Sequence, residues 1–136
     1  METIYQSRVW TIYWHENAKC LRPVFNDYTK QMTYEEYLQE LDKYEELIHH
    51  FKPQSICADM RSFYFTISPD IQQRINERIL AFYNQIQLKK HALLVSPDFI
   101  AQLSIEQTMD ENNNTSYENR YFGSERDAIA WLGLTI

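Results

Sequence analysis

Residues able to do chemistry are scattered along this 136-residue chain, and most of their spacings fail the chemistry they suggest. His15-Glu16 begins like the metalloprotease pattern H-E-x-x-H, but Lys19 stands where the second histidine belongs. The pair therefore reads as a turn. His49 and His50 are adjacent, and neighbouring positions on a helix do not face one metal ion. They read as helix-end residues. His91 is a lone histidine opening an apolar run, which favours a structural role. Asp110, Asn112 and Asn114 imitate the first three ligands of a calcium loop. Thr115 replaces its glycine, however, and Tyr121 its closing glutamate. Asn113-Asn114-Thr115 has the form of a glycosylation sequon, which matters only outside the cytoplasm. Glu35-Glu36 and Glu45-Glu46 fall on a polar helix face and read as solvated. No metal and no cofactor is expected, and no Ser, His and Asp are spaced to single out a catalytic triad.

One group remains: Asp59, Arg61, Ser62, Ser68 and Ser96. Asp59 closes a strand-like run, Arg61 and Ser62 follow it, and each of the other two serines begins a Ser-Pro-Asp triplet. In open α/β sheets ligands sit beyond the carboxyl ends of the strands. Arg61 can offer two parallel N–H donors to a carboxylate or phosphate. A helix start offers free amides to an anion, so Ser68 is a candidate phosphosite or anion cradle. The plainer reading makes both serines helix caps, worth about 1 kcal/mol each, with Arg61 paired to Asp59.

Composition removes further chemistry. Gly123 and Gly133 are the two glycines of the chain. Dinucleotide fingerprints, P-loops and the G-x-S-x-G nucleophile elbow all need closer glycines. Cys20 and Cys57 have neither redox-motif nor zinc-ribbon spacing and read as buried free thiols. The opening METIYQSRVW has no apolar signal segment, so the expected location is the reducing cytoplasm. No stretch is apolar enough for a membrane span. A net charge of -6 disfavours nucleic acid, and Lys89-Lys90-His91 reads as a strand entry rather than a basic patch.

The elements that must position these residues follow from periodicity. Val9, Thr11 and Tyr13 alternate with Trp10, Ile12 and Trp14, which is the two-residue period of a strand. His15 to Ala18 breaks it, and Cys20 to Phe25 extends again. The two runs form a hairpin, with Pro23 arguing for an edge position. Thr33-Tyr34-Glu35-Glu36 is a capping box. Behind it Tyr34, Tyr37, Leu38, Leu41, Tyr44, Ile48 and Phe51 form one helical stripe that ends before Pro53. Ser55 to Met60 and His91 to Val95 are buried-type strands. Each is followed by a Ser-Pro-Asp helix start, with Ser as cap and Pro in the first turn. Ile71, Ile75, Ile79, Phe82 and Ile86 make the stripe of the first of these helices. Phe99, Ile100 and Leu103 are the apolar positions of the second. After a polar loop at 110–118, Asn119 to Gly123 is a last strand. Ser124 opens a last helix carrying Ala128, Ile129, Trp131 and Leu132 inward. The order ββαβαβαβα predicts one α/β domain over residues 1–136, with a mixed, mostly parallel sheet of about five strands, an N-terminal hairpin and about four helices.

This order resembles the STAS domain, the SpoIIAA-like fold of anti-sigma-factor antagonists and sulfate-transporter tails. Arg120-Tyr121-Phe122 followed by Asp127-Ala128-Ile129-Ala130-Trp131-Leu132 is similar to the closing strand and helix of SpoIIAA-like (STAS/SEC14-type) bacterial proteins. Asp59, Phe65 and Ser68 also fall at the spacing of the antagonists' strand end, loop and phosphorylated serine. The chain departs from that pattern at Ile67, Pro69 and Asp70, where the family carries Asp, Ser and Gly. The resemblance implies a regulatory module without enzymatic activity that works by protein–protein association, with a protein partner or as a homodimer. Its contact surface would come from the Tyr-lined face of the first helix or from Trp10 and Trp14. SEC14-type relatives imply the alternative, a carrier or sensor of a small apolar or anionic ligand. An enzyme without a recognisable motif is the third reading, because a fold alone excludes no function.

Overall fold

The computed structural model describes residues 1–110 and 116–135. Six strands form one mixed sheet in the order of the chain: β1 (Glu2–Gln6), β2 (Trp10–His15), β3 (Cys20–Phe25), β4 (Ser55–Asp59), β5 (Lys90–Leu94) and β6 (Glu118–Phe122). β1 to β3 are antiparallel, and β3 to β6 are parallel. The sheet therefore has one strand more than the sequence predicts. β1 is five residues long and its residues are exposed or half-buried, so it lacks the apolar alternation that reveals a strand.

Pro23 lies in an interior strand, not at an edge. It sits opposite Ile12 on β2, and the parallel ladder to β4 skips from Leu21↔Ile56 to Val24↔Asp59 around it. A residue with no N–H is tolerated where the ladder is interrupted. The β2–β3 hairpin itself is present, closed by Lys19 in a left-handed conformation (φ 51°).

Four helices complete the fold. α1 (Tyr34–Phe51) has the capping box at its start: Glu36 N–H donates to Thr33 Oγ1 at 3.1 Å, and Thr33 N–H donates to the Glu36 carboxylate at 3.0 Å. α2 spans residues 69–85 without a break but changes pitch, from α-helix (Pro69–Ile75) through a π turn (Asn76–Leu80) back to α-helix (Ala81–Gln85). α3 is Phe99–Asp110, and α4 is Glu125–Leu132. Gly133 ends α4 at φ 71°, a left-handed turn that glycine enters without a steric penalty.

Strands 3 to 6 are neighbours in chain order, so every crossover steps the same way. Right-handed crossovers then put α1, α2 and α3 on one face of the sheet. The large core lies there, joining Trp10, Ile12, Trp14, Leu21, Ile56 and Leu93 to the inner sides of those helices. Alternation sends Cys20, Arg22, Cys57, Asp59, Ala92 and Leu94 to the opposite face. α4 covers part of that face, with Ala128 fully buried and Trp131 and Leu132 half-buried against it. Cys20 and Cys57 are both buried free thiols, as the sequence predicts. The calcium-like series and the sequon both include residues outside the described ones, as does most of the predicted polar loop.

Candidate functional site

The sequence-predicted group divides into an ion-pair cluster and three separate serines. Asp59 is buried at the carboxyl end of β4, and Arg61 folds back onto it. Arg61 Nε donates to Asp59 Oδ1 at 3.0 Å, Nη2 donates to Oδ2 at 2.7 Å, and the Arg61 amide donates to Oδ1 at 3.1 Å. The hydrogen bond to the Asp59 carboxylate raises the Arg61 pKa further above its ordinary value; desolvation opposes it, and charge attraction to Asp59 and Glu125 adds to the rise. Glu125, in the first turn of α4, joins the cluster. Its carboxylate accepts from Arg22 Nη2 at 2.6 Å and lies 3.5 Å from Arg61 Nη2. Burial is the largest influence on Arg22 and opposes its charge, but the Glu125 hydrogen bond and the surrounding charge attractions together outweigh it, so the Arg22 pKa is raised. Two guanidiniums thus meet two carboxylates. An incoming anion would have to displace a carboxylate to bind here.

The serines bond elsewhere. The Ser62 backbone carbonyl accepts from Thr29 Oγ1 at 2.7 Å. Ser68 has the backbone of a cap residue, but its hydroxyl accepts from no helix amide. It donates to Asp70 Oδ1 at 2.5 Å, and Tyr34 Oη donates to Asp70 Oδ2 at 2.5 Å. Those two hydroxyls, Ser68 first, hold the Asp70 carboxyl below its ordinary pKa. A carboxylate thus lies where an anion cradle or phosphoserine would put like charge. Ser96 is buried and links two loops, donating to Phe63 O at 2.6 Å and accepting from Asp98 N–H at 3.1 Å. The cap of α3 is Asp98 instead, whose Oδ1 accepts from Ala101 N–H at 2.8 Å.

Among the described residues, the thiols nearest the charged cluster are not activated. Cys57 shares the face of Arg22, but burial pushes its thiol up to about 11, and burial raises Cys20 as well. A thiol held protonated is a poor nucleophile. Among the described residues no group of three or more His, Cys, Asp or Glu is placed to hold a metal ion.

The carboxyl end of the sheet carries a second feature, on α3. Its buried positions are Ala101, Ser104, Ile105 and Thr108. The two hydroxyls among them are satisfied internally. Ser104 donates to Ala101 O and accepts from Ile67 N–H, and Thr108 donates to Ser104 O. Three large apolar side chains point the other way: Phe99 is 78% exposed, Ile100 55% and Leu103 43%. The sequence treats these three as ordinary apolar helix positions, yet the helix is partly inverted, with Ala101, Ser104 and Thr108 inside beside Ile105. In contrast, Trp10, Trp14, Tyr37 and Tyr44 are core residues, so the aromatic surface predicted for the hairpin and the first helix is not there.

Two hollows lie away from the charged cluster. A cleft of about 620 Å³ lies at the amino end of the sheet, beside the β2–β3 turn. The acidic residue on its wall, Glu16, is taken by Lys19 at 2.5 Å and Trp14 Nε1 at 2.6 Å. A second cavity, of about 70 Å³, lies between the sheet and the helices. Its wall includes Tyr44, Tyr83 and His91 in apolar surroundings. Tyr83 reaches it from the last α-helical segment of α2. A strict helical stripe through Ile71, Ile75 and Ile79 continues to Phe82. The wider π turn shifts the inner face, so Leu80 is buried and Phe82 is only half-buried. Tyr83 lies one four-residue step beyond Ile79, so it shares that face, whereas the burial of Leu80 beside Ile79 is not visible in the repeat.

No protein-family model matches this chain, and neither a curated protein nor a solved structure shows significant similarity to it.

Proposed function

We propose that this chain is a non-enzymatic binding or regulatory module of the STAS/SpoIIAA-like kind. It works in the cytoplasm by associating with a protein partner, and the first turn of α3 is the centre of the contact. The partly inverted helix carries this reading. Apolar side chains clustered on the surface beside inward-facing hydroxyls cost solubility and add nothing to the core, which fits an interaction site. Guanidiniums held by carboxylates and raised thiol pKa values fit a module that performs no covalent chemistry.

The test is affinity capture from source-cell extract with the wild-type chain and with Phe99→Ser/Leu103→Ser. Central interface residues commonly contribute more than about 1 kcal/mol each, so the double variant should retain its specific partner at least about tenfold less. Its own unfolding free energy should change by no more than about 0.5 kcal/mol, because both side chains leave the core untouched. Equal capture by both proteins would remove α3 from the contact. Light scattering separates the homodimer form: a mass that doubles with concentration in the wild type, but not in the variant, makes the partner a second copy.

A further inference from the structure

We infer that the cavity between the sheet and helices α1 to α3 is a binding site for a small neutral molecule with one hydroxyl-like group, which bridges His91 and the Tyr44–Tyr83 pair. The inference is independent of the α3 contact. It begins with a count of protons. Tyr44 Oη and Tyr83 Oη lie 2.5 Å apart, so they share one hydrogen bond. Each phenol has one proton to donate. The shared bond uses one of the two, and the other has no acceptor among the described residues. On the same wall His91 is 4% exposed, and its Nδ1 has no hydrogen-bond partner. An unmet buried polar group costs about 1–3 kcal/mol. A single hydroxyl in the cavity can accept the spare phenolic proton and donate its own to Nδ1. Both deficits then close together.

The remaining wall sets the class of guest. It is apolar, with Ile79, Leu80 and Leu93 among its members, and no Asp, Glu, Lys or Arg lines it. Burial keeps the phenols and the imidazole uncharged. A charged guest would lose its hydration and find no counter-ion. The space is about 70 Å³. An engineered cavity of about 150 Å³ takes benzene, and a water occupies about 30 Å³ in the liquid. The guest is therefore a polar group with a few carbons attached, well below the about 300–1,000 Å³ of a drug-sized pocket. Sequence alone marks His91 as structural, and the site emerges only when α2 packs on β5, with the Tyr83 and His91 ring centroids 5.6 Å apart.

The experiment titrates 1-propanol, as the probe, into the full chain followed by NMR, with xenon as an apolar comparison. The expected result is saturable shifts confined to the methyls of Ile79, Leu80 and Leu93 and to the His91 side-chain nitrogens. Tyr83→Phe should weaken propanol binding at least tenfold while leaving xenon binding unchanged, and His91→Phe should do the same. Should His91→Phe fail to fold, Tyr83→Phe decides the matter, since it keeps the ring and removes only the hydroxyl. Unsaturable or dispersed shifts, or equal propanol affinity in a folded variant, would overturn the site. So would long-lived waters at Nδ1 that propanol does not displace.

Discussion

His91 shows how a single residue takes its properties from the place it occupies. In an exposed strand it would titrate near its ordinary value. Here burial lowers its pKa to about 4, against a smaller opposing contribution from the Asn119 side chain. The unfolded chain takes up this proton near pH 6.5, and the folded chain only near pH 4. Between those values the unfolded state binds more protons. The stability His91 confers is therefore complete above about pH 6.5 and is lost as the pH falls toward 4. A shift of this size corresponds to about 3 kcal/mol. Chemical unfolding at pH 7 and at pH 4.5 should show a larger loss for the wild type than for His91→Phe, because every carboxylate is common to both. Parallel losses in the two proteins would mean that His91 is protonated in the folded state. The sequence identifies this histidine as a lone structural one but cannot show its burial or its missing partner, since Tyr44 and Tyr83 come from other elements.

At the scale of elements, helix starts are partly readable from sequence. Thr33 caps α1 and Ser124 caps α4, as their local patterns predict, because capping is a bond between near neighbours. The two Ser-Pro-Asp triplets are identical in sequence and behave differently. At α2 the Ser68 hydroxyl turns to Asp70; at α3 Ser96 is buried two residues before Asp98, which caps. Asp98→Ala should cost about 1 kcal/mol and Ser68→Ala no more than about 0.5 kcal/mol in thermal or denaturant unfolding. Equal costs would mean that Ser68 caps α2 in solution. The triplet does not encode this difference. Ser96 is drawn inward by the Phe63 carbonyl, whereas Ser68 sits at an outer corner beside Tyr34.

The whole molecule is a sheet covered unevenly. Three helices and the main core lie on one face, and one eight-residue helix with a small cluster lies on the other. α4 is held there by Ala128 and Trp131 and by the Arg22–Glu125 pair, with Cys20 and Cys57 in the same layer. Arg22 is buried, so removing its partner's charge leaves a guanidinium with no compensation on the sheet face. Glu125→Gln should therefore loosen α4 and raise the rate at which a thiol reagent modifies Cys20 and Cys57 by roughly tenfold, equivalent to about 1.4 kcal/mol of easier opening. Arg126→Ala, at an exposed position of the same helix, should leave that rate nearly unchanged. If the two variants are labelled alike, the helix is not held by Arg22.

Strand and helix order, the hairpin, the first helix with its cap, and the single α/β architecture all follow from periodicity and local capping. Those signals act between residues a few positions apart, and they are written into the chain directly. The sixth strand, the place of Pro23 inside the sheet, the π turn, the partly reversed face of α3 and the Glu125 bridge are not. Each depends on groups distant in sequence: 103 residues separate Arg22 from Glu125, and 39 separate Tyr44 from Tyr83. The predicted site shows the same division. Asp59 and Arg61, two positions apart, do meet, whereas Ser62, Ser68 and Ser96 bond to partners that only the folded chain supplies. Local spacing specifies which elements form. Packing then decides which side chains they bury and which polar groups go without a partner.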